Sequence, residues 1–242
     1  MRLKQQGFTL IELVIVIIVL AAISIATSSY IATGVSIYTD ISERDKELNS
    51  TRFVMERLRR DILNALPNSF IVSNNNQCLT FTPIKESTIY GYDFPIAPLS
   101  KSSGTIATIE NYTFSTGDKA VVYLLMESEL SSTKAHFIDN VTGEQITFIG
   151  AASFPLNSPS KRLYIINRSK SYYFNAADEL RLADSCTSSS SSSSLMANNI
   201  KGSFEVAKPT LQRNGLAKVT FMLNFDGQDV PIEQTLHVNN VP

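Results

Sequence analysis

An apolar run close to the N-terminus constrains this chain more than any other feature of its sequence. Between residues 8 and 39 the only side chain that would be charged is Glu12, and residues 10–26 contain neither glycine nor proline. With residues 8 and 9, this stretch reaches the roughly 20 apolar residues that a helix needs to cross the hydrocarbon core of a membrane. Arg2 and Lys4 precede it, so the distribution of positive charge predicts a cytoplasmic N-terminus and an exported remainder.

Two simpler interpretations explain this run less well. A secretory signal has a shorter apolar stretch followed by a cleavage site of small residues, whereas here the apolar pattern continues without a glycine until Gly34. A plain single-span anchor leaves Glu12 unexplained, because a carboxylate inside an apolar helix is costly without a partner. The sequence therefore predicts a membrane helix whose one acidic side chain has a partner.

The residues around Glu12 form an ordered motif, which reads Gly7-Phe8-Thr9-Leu10-Ile11-Glu12-Leu13. This motif resembles the cleavage and methylation motif of type IV prepilins. The resemblance implies that a prepilin peptidase removes a leader of residues 1–7 by cutting after Gly7, and that it then methylates Phe8. It also implies that Glu12 forms an assembly charge pair with the Phe8 amine of a neighbouring subunit, an attraction that is strong at low dielectric constant.

The helical pattern continues beyond the predicted membrane segment and ends before Pro67, because the residue preceding a proline is disfavoured in helical geometry. We expect residues 8–31 to form a membrane or filament-core helix and residues 32–66 to form its amphipathic half. The predicted apolar stripe consists of Ile37, Ile41, Leu48, Met55, Leu58, Ile62 and Ala65. A basic group on the other face, Arg57, Arg59 and Arg60, is interpreted as a solvated surface, with a phosphate contact as the alternative.

After Pro67 the periodicity of the sequence changes from helical to that of β-strands. Predicted strands lie at residues 79–82, 120–125, 146–149, 163–166, 172–174, 180–183, 219–225 and 232–238. The last two flank Asp226-Gly227 and are predicted to form a hairpin. Residues 87–103 are expected to be a long loop, and residues 187–194 a flexible serine loop. This pattern predicts an α+β, pilin-like fold in which the long N-terminal helix packs on an antiparallel β-sheet head of residues 67–242.

The two cysteines, Cys78 and Cys186, lie in the part of the chain that is predicted to be exported. An even pair of cysteines in an oxidising compartment predicts a disulfide, which would close a large loop. Two unpaired buried thiols are the alternative. Thiol catalysis is disfavoured because the sequence has no Cys-x-x-Cys spacing.

Composition and motifs disfavour most other functions. The net charge is −1, so no nucleic-acid partner is expected. The sequence contains no nucleophile elbow, zinc-protease motif, phosphate loop or dinucleotide fingerprint. His136 and His237 lie on predicted strands and are interpreted as ordinary edge or surface residues. We therefore predict no catalytic residues, no metal and no cofactor, and a protein that is not an enzyme.

Two further stretches refine the resemblance. Residues 56–69, at the helix exit, and residues 234–242, which end His237-Val238-Asn239-Asn240-Val241-Pro242, are similar to the O-type minor pilins (MshO) of the mannose-sensitive haemagglutinin (MSHA) pilus. This resemblance implies a minor pilin that primes or caps filament assembly. The implied partners are other minor pilins, the major pilin, prepilin peptidase and the inner-membrane assembly platform.

The same resemblance implies a single-pass protein of the inner membrane with a periplasmic head, or a subunit at the pilus tip. A J-type minor pseudopilin of a type II secretion system is the first alternative. A tip adhesin or DNA-binding minor pilin is the second, and Tyr90, Tyr92, Tyr172 and Tyr173 are the candidate ligand-binding aromatic residues for it. Core packing explains these tyrosines more simply.

Overall fold

The computed structural model describes residues 7, 9–131, 134–207, 216–225 and 228–237. Contacts divide the chain into two units, residues 1–50 and residues 51–242. Within the described part of the first unit, regular structure consists of one helix. Helix α1 spans Leu10–Leu63, and its last turns, from Thr51 onward, belong to the second unit.

Helix α1 ends at Leu63, three residues before the predicted end of the amphipathic half at residue 66. The backbone N–H of Leu66 donates to the carbonyl of Thr82 at 2.8 Å, and the N–H of Ile84 donates to the carbonyl of Asn64 at 2.9 Å. Backbone groups that would have extended the helix are thus used in sheet-like bonds. Pro67 follows directly, so the helix exit is held by tertiary hydrogen bonds as well as by the proline.

In the second unit, helix α1 buries Thr51, Val54, Leu58 and Ile62. The predicted apolar stripe contained Met55, whereas the buried residue is its neighbour Val54. The prediction for Met55 was wrong, since this side chain is only half-buried. The predicted stripe had spacings of three, four and seven residues, and Met55 entered it seven residues after Leu48. A straight helix drifts by about 20° per seven residues, so the buried face moves to the neighbouring position over several turns.

Within the described residues, fourteen strands follow the helix. Their bounds are β1 Ile71–Ser73, β2 Cys78–Phe81, β3 Ile84–Ile89, β4 Lys101–Thr105, β5 Lys119–Val121, β6 Ala135–Thr142, β7 Gln145–Ala152, β8 Arg162–Ile166, β9 Lys170–Phe174, β10 Leu180–Ala183, β11 Ser194–Ala197, β12 Ile200–Ala207, β13 Leu216–Phe225 and β14 Gln228–His237. Two short 3₁₀ helices occur at Glu127–Ser131 and Ser190–Ser192. The α+β prediction is confirmed.

The strands form three antiparallel sheets with the orders β1-β2-β9-β10-β11, β3-β8-β5-β6-β7-β4 and β12-β13-β14. The β13–β14 pairing matches the predicted hairpin, whereas its turn at Asp226-Gly227 lies outside the described residues. The chain leaves the five-stranded sheet after β2 and returns to it at β9. Where the chain leaves and re-enters this sheet, the hydroxyl oxygens of Thr82 and Ser169 are 3.0 Å apart. The six-stranded sheet is therefore inserted between two paired strands.

Two predicted segments differ from the structure. Residues 87–103 are not one long loop, because β3 and β4 occupy its ends. The strand predicted at 120–125 stops at Val121, and Tyr123 has a φ of 49°. Positive φ is incompatible with a continuing strand. Val122 and Leu124 are nevertheless buried, so the apolar pattern there marks burial without marking a strand.

Aromatic packing fills the two larger sheets. In the core of the six-stranded sheet, Phe94, between β3 and β4, stacks on Phe154, which follows β7, with ring centroids 5.3 Å apart. Where the three-stranded sheet meets the five-stranded one, Phe174 packs 5.2 Å from Phe204. Gly202 lies under the Phe174 ring, and a β-carbon there would overlap both that ring and the carbonyl oxygen of Thr220. A glycine inside strand β12 is therefore required by close approach.

Candidate functional site: the N-terminal motif and its helix

Two residues of the N-terminal motif, Thr9 and Glu12, cap the first turn of helix α1. The carboxylate of Glu12 accepts hydrogen bonds from the backbone N–H of Thr9 at 3.5 Å and from the Thr9 hydroxyl at 3.3 Å. The N–H of Leu13 donates to the carbonyl of Thr9 at 3.3 Å, which begins the helical ladder. Thr-x-x-Glu is thus half of a capping box, with Glu12 satisfying a backbone donor at the helix start. A negative charge in this position also complements the helix dipole.

The predicted processing residues lie just before this turn. Gly7 is exposed and has open space around its α-carbon. Phe8, which is the predicted new N-terminus and methylation site, lies outside the described residues. The structure thus shows an exposed glycine next to a capped helix.

The apolar side chains of helix α1 within the first unit are exposed. From Leu10 to Ile41, large aliphatic side chains have roughly half or more of their surface accessible. The helix is long and apolar enough to cross a membrane. The most apolar stretch of the helix is not buried against any other part of the protein that the structure describes. Exposed apolar surface of this extent is unfavourable in water. It supports anchoring in a membrane or packing against other apolar helices.

Polar side chains within this apolar segment are satisfied locally. The hydroxyls of Ser24 and Thr27 each donate to the carbonyl four residues earlier, both at 2.7 Å, and Thr33 does the same at 3.0 Å. Such bonds allow hydroxyl side chains in a low-dielectric environment, where an unpaired donor is costly. This feature was not predicted. The spacing of Ser and Thr in an apolar helix would have been the signal for it.

Charged residues at the end of the helix pair with one another. Glu56 lies 3.6 Å from Arg59 and 3.2 Å from Arg60, and both pairs are exposed. The basic group of the sequence analysis is therefore partly neutralised by one carboxylate. Exposed pairs of this kind add little stability.

One buried contact links this part of the helix to the five-stranded sheet. The phenol of Tyr172, on β9, donates to the carboxylate of Asp61 at 2.6 Å, and its ring stacks on Phe81 of β2 at 5.9 Å. Burial, followed by the hydrogen bond to Asp61 and the Asp61 charge, raises the pKa of Tyr172 above its ordinary value. The phenol is therefore neutral in the folded protein at physiological pH.

Cys78 and Cys186, which are 108 positions apart in sequence, are joined by a disulfide. Cys78 begins β2, and Cys186 follows β10 and directly precedes the serine run. The bond lies beside hydroxyl groups, since the Cys186 sulfur is 3.4 Å from Ser73 Oγ and 3.5 Å from Thr80 Oγ1. It links β2 to the segment that follows β10, on the other side of β9 in the five-stranded sheet.

The serine run, predicted as a flexible loop, makes specific contacts. Tyr173 donates from its phenol to the carbonyl of Ser188 at 2.9 Å, and Arg181 donates from Nε to the hydroxyl of Ser193 at 2.7 Å. The last serine of the run, Ser194, begins strand β11. The disulfide at one end and Arg181 at the other therefore hold the run against the sheet.

The aromatic residues considered for ligand binding do not form a surface cluster. Tyr90, Tyr172 and Tyr173 are buried, whereas Tyr92 is 93% exposed. His136 packs edge-on against Phe154, with ring centroids 4.6 Å apart. Within the described ranges, no three His, Cys, Asp or Glu side chains are grouped so as to hold a metal ion.

Comparison with known proteins identifies the N-terminal motif. The family model described as "Prokaryotic N-terminal methylation motif" matches residues 2–28. No curated protein and no solved structure matches the chain. Proteins with this motif are processed by prepilin peptidase and assemble with other pilins, and the pilin-like family is structural rather than catalytic. The motif, the long apolar N-terminal helix and the antiparallel sheets that follow it thus support a type IV pilin-like protein.

Proposed function

We propose that this protein is a minor pilin of an MSHA-type pilus, which primes or caps the filament after cleavage between Gly7 and Phe8. The observation that carries the proposal is the combination of an N-terminal methylation motif with a helix whose apolar surface is exposed from Leu10 to Ile41. A surface of this kind is stable only in lipid or against other apolar helices, and a filament core supplies the second.

Glu12 supports the same proposal. In the isolated chain its carboxylate caps the first turn, with contacts of 3.3–3.5 Å to Thr9. These contacts are long for charge-assisted hydrogen bonds, so little is lost when a better partner replaces them. The amine of a mature Phe8 on a neighbouring subunit is such a partner, since it carries the opposite charge. The pair would fix the axial position of one helix against the next.

The head supports a role at a filament end rather than along its length. The described part of the second unit contains fourteen strands in three sheets, of which the six-stranded sheet is an insertion. A head of this size is hard to accommodate between stacked subunits and easy to accommodate at a tip. On this proposal, the partners are other minor pilins, the major pilin and the inner-membrane assembly platform, and the membrane form is single-pass with a periplasmic head.

The experiment is a count of surface filaments by electron microscopy in cells that lack only this protein. We expect filaments to disappear and to return when the gene is restored. A matched strain should carry Gly7→Ala, which keeps the helix and head but removes the residue before the predicted cleavage. The mature protein should yield a peptide that begins with N-methylated Phe8 in mass spectrometry.

The alternatives give different results in the same strains. Normal filaments with lost protein secretion would replace the proposal with a J-type pseudopilin. Normal filaments with lost attachment or DNA uptake would indicate an accessory tip binder. An intact residue 1–7 leader on the filament-associated protein would contradict the processing step.

A further inference from the structure

A buried carboxylate in the six-stranded sheet holds a lysine and an asparagine on its two oxygens. Lys85 Nζ lies 2.6 Å from Oδ2 of Asp118, and Asn167 Nδ2 lies 2.6 Å from Oδ1 of the same carboxylate. The Asp118 side chain is fully buried, and the Lys85 side chain is mostly buried. An amine and a carboxamide therefore meet at one acid group inside the head.

The order of strands places these three residues side by side. Strand β8 lies between β3 and β5, and Ile166 at its end pairs with Ile84 of β3 and with Lys119 of β5. Lys85, Asn167 and Asp118 each lie one residue from this row. The arrangement is thus set by the pairing of three strands, so it does not depend on a mobile loop.

A tight turn fixes the acid group. The N–H of Asp118 donates to the carbonyl of Ser115, and the N–H of Ser115 donates back to the Asp118 carboxylate, both at 3.0 Å. Gly117, inside this turn, has a φ of 94°, a conformation that favours glycine. The carboxylate also accepts the phenol of Tyr112 at 2.7 Å. Asp118 is therefore held rigidly between the amine and the carboxamide.

The resting acid group is a carboxylate, because burial would raise the pKa of Asp118 but hydrogen bonds from Lys85, Asn167 and Tyr112 outweigh it and hold this pKa below its ordinary value. Burial raises the pKa of Tyr112, and the hydrogen bond to Asp118 and its charge raise it further. Moving a proton from Lys85 to Asp118 therefore costs free energy, and burial reduces this cost in part because it penalises charged forms. Transfer of one proton from Lys85 to Asp118 leaves the net charge of the pair unchanged.

We propose that Lys85 and Asn167 become joined by an intramolecular isopeptide bond, with Asp118 as the catalytic proton carrier. Asp118 first takes a proton from the Lys85 ammonium, and the freed lone pair of Nζ attacks Cγ of Asn167. Asp118 then gives that proton to Nδ2, the Cγ–Nδ2 bond breaks, and ammonia leaves. The new amide nitrogen loses its extra proton through Asp118 to the ammonia, which departs as ammonium. Lysine and asparagine are thus converted into an amide and ammonium with no other reactant.

The bond has a clear structural consequence. Among the strands that the structure describes, β3 lies at the edge of the six-stranded sheet and pairs with β8 alone. A covalent link from Lys85 to the end of β8 attaches this edge to the sheet interior. With this link, β3 stays attached to β8 even when the hydrogen bonds between the two strands are broken.

Peptide mapping of the full-length protein tests this inference directly. The protein is extracted from membranes in detergent, its disulfide is reduced and alkylated, and it is digested with trypsin. We expect one branched peptide containing Lys85 and Asn167, lighter than the two separate peptides by one ammonia, and no cleavage after Lys85. Recovery of Lys85 as a peptide C-terminus, with Asn167 in an unmodified peptide, would overturn the proposal.

Variants assign the roles. Lys85→Arg keeps the positive charge beside Asp118 but lacks the nucleophilic amine, so Asn167 should appear in an ordinary peptide. Asp118→Ala should leave both residues unjoined, and a branched peptide in that variant would exclude Asp118 as the proton carrier. Lys119→Arg, on the neighbouring strand, is the matched control and should remain linked. Because the map of the unaltered protein decides the main claim, variants that fail to fold do not affect it.

Discussion

Tyr172 on strand β9 donates a hydrogen bond of 2.6 Å to Asp61 near the end of helix α1. The phenol is buried, and its acceptor is a carboxylate, so the bond is of the stronger, charge-assisted kind. We expect Tyr172→Phe to lower the free energy of unfolding by about 2 kcal/mol. Denaturant unfolding of the detergent-solubilised protein measures it. Tyr92→Phe, at an exposed tyrosine, should have no effect, and equal losses in both variants would contradict the assignment.

The same phenol predicts a dependence of stability on alkaline pH. Because the pKa of Tyr172 is raised in the folded protein, the unfolded chain loses this proton first. The contribution of Tyr172 is fully present below the ordinary pKa of about 10 and is lost as the pH rises above it. The difference in unfolding free energy between the unaltered protein and Tyr172→Phe should therefore shrink above pH 10. A difference that stays constant would argue against the raised pKa.

Lys134 is 3% exposed and lies 3.0 Å from the carboxylate of Glu129. Glu129→Gln leaves this ammonium facing a neutral amide, so we expect a loss of about 3 kcal/mol in the free energy of unfolding. The amide oxygen can still accept the N–H groups of Leu125 and Met126 that Glu129 binds. Adding Lys134→Met should recover most of the loss. Equal stability of the single and double variants would show that the charge is not the cause.

The Glu129 pair also predicts an effect of acid. Burial alone would raise the pKa of Glu129, but hydrogen bonds from Leu125, Lys134 and Met126 outweigh it and hold the pKa below its ordinary value of 4.5. The stabilisation is therefore complete above pH 4.5 and is lost as the pH falls through the lower, folded value. The free energies of unfolding of the unaltered protein and of Glu129→Gln should therefore become equal as the pH falls below 4.5.

The disulfide between Cys78 and Cys186 closes a loop across most of the head, with a separation of 108 residues. Replacing both cysteines with serine should lower the free energy of unfolding by about 4 kcal/mol, because the unfolded chain gains conformational freedom. Thermal unfolding with and without reductant measures the same quantity in the unaltered protein. Reductant should not affect the double variant, which serves as the control.

Glu12 combines two roles that substitutions can separate. Glu12→Gln removes the charge but keeps an acceptor for the Thr9 N–H, since glutamine also completes a capping box. Glu12→Ala removes both. If the charge pair drives assembly, both variants should be cleaved after Gly7 but fail to enter filaments, as measured by immunogold labelling. Glu43→Gln, further along the helix, should enter normally, and normal entry of Glu12→Gln would contradict the charge-pair role.

Local patterns in the sequence predicted the elements whose structure is locally determined. The apolar run that begins at Leu10 predicted the helix, and the alternation at residues 180–183 predicted β10 with its observed bounds. Strand β4, Lys101–Thr105, was missed because its polar sequence forms a strand only through pairing with β7. Its one buried residue is Gly104, which packs against Phe94. A contact of this kind involves no periodic apolar signal.

The group around Asp118 shows the same limit for sites. Lys85, Asp118 and Asn167 are separated by more than thirty residues at each step, and none lies in a recognisable motif. Only the strand order β3-β8-β5 brings them together. The capping contact between Thr9 and Glu12, by contrast, spans three residues and is visible in the sequence. Sites built within one turn can be predicted from sequence, whereas sites built across strands require the pairing.

The six-stranded sheet is inserted between two paired strands of the five-stranded sheet, so the inserted sheet could be replaced as a unit. Residues 84–166 leave after β2 and return before β9, and these two strands are already paired to each other. The hydroxyls of Thr82 and Ser169, 3.0 Å apart, mark a gap that a short turn could close. Related or engineered chains could therefore replace most of the inserted sheet while the Tyr172–Asp61 contact and the disulfide stay in place, provided that a backbone donor remains for the Asn64 carbonyl that Ile84 binds at the helix exit. The outer surface of the head can then diverge while its attachment to the assembly helix stays the same.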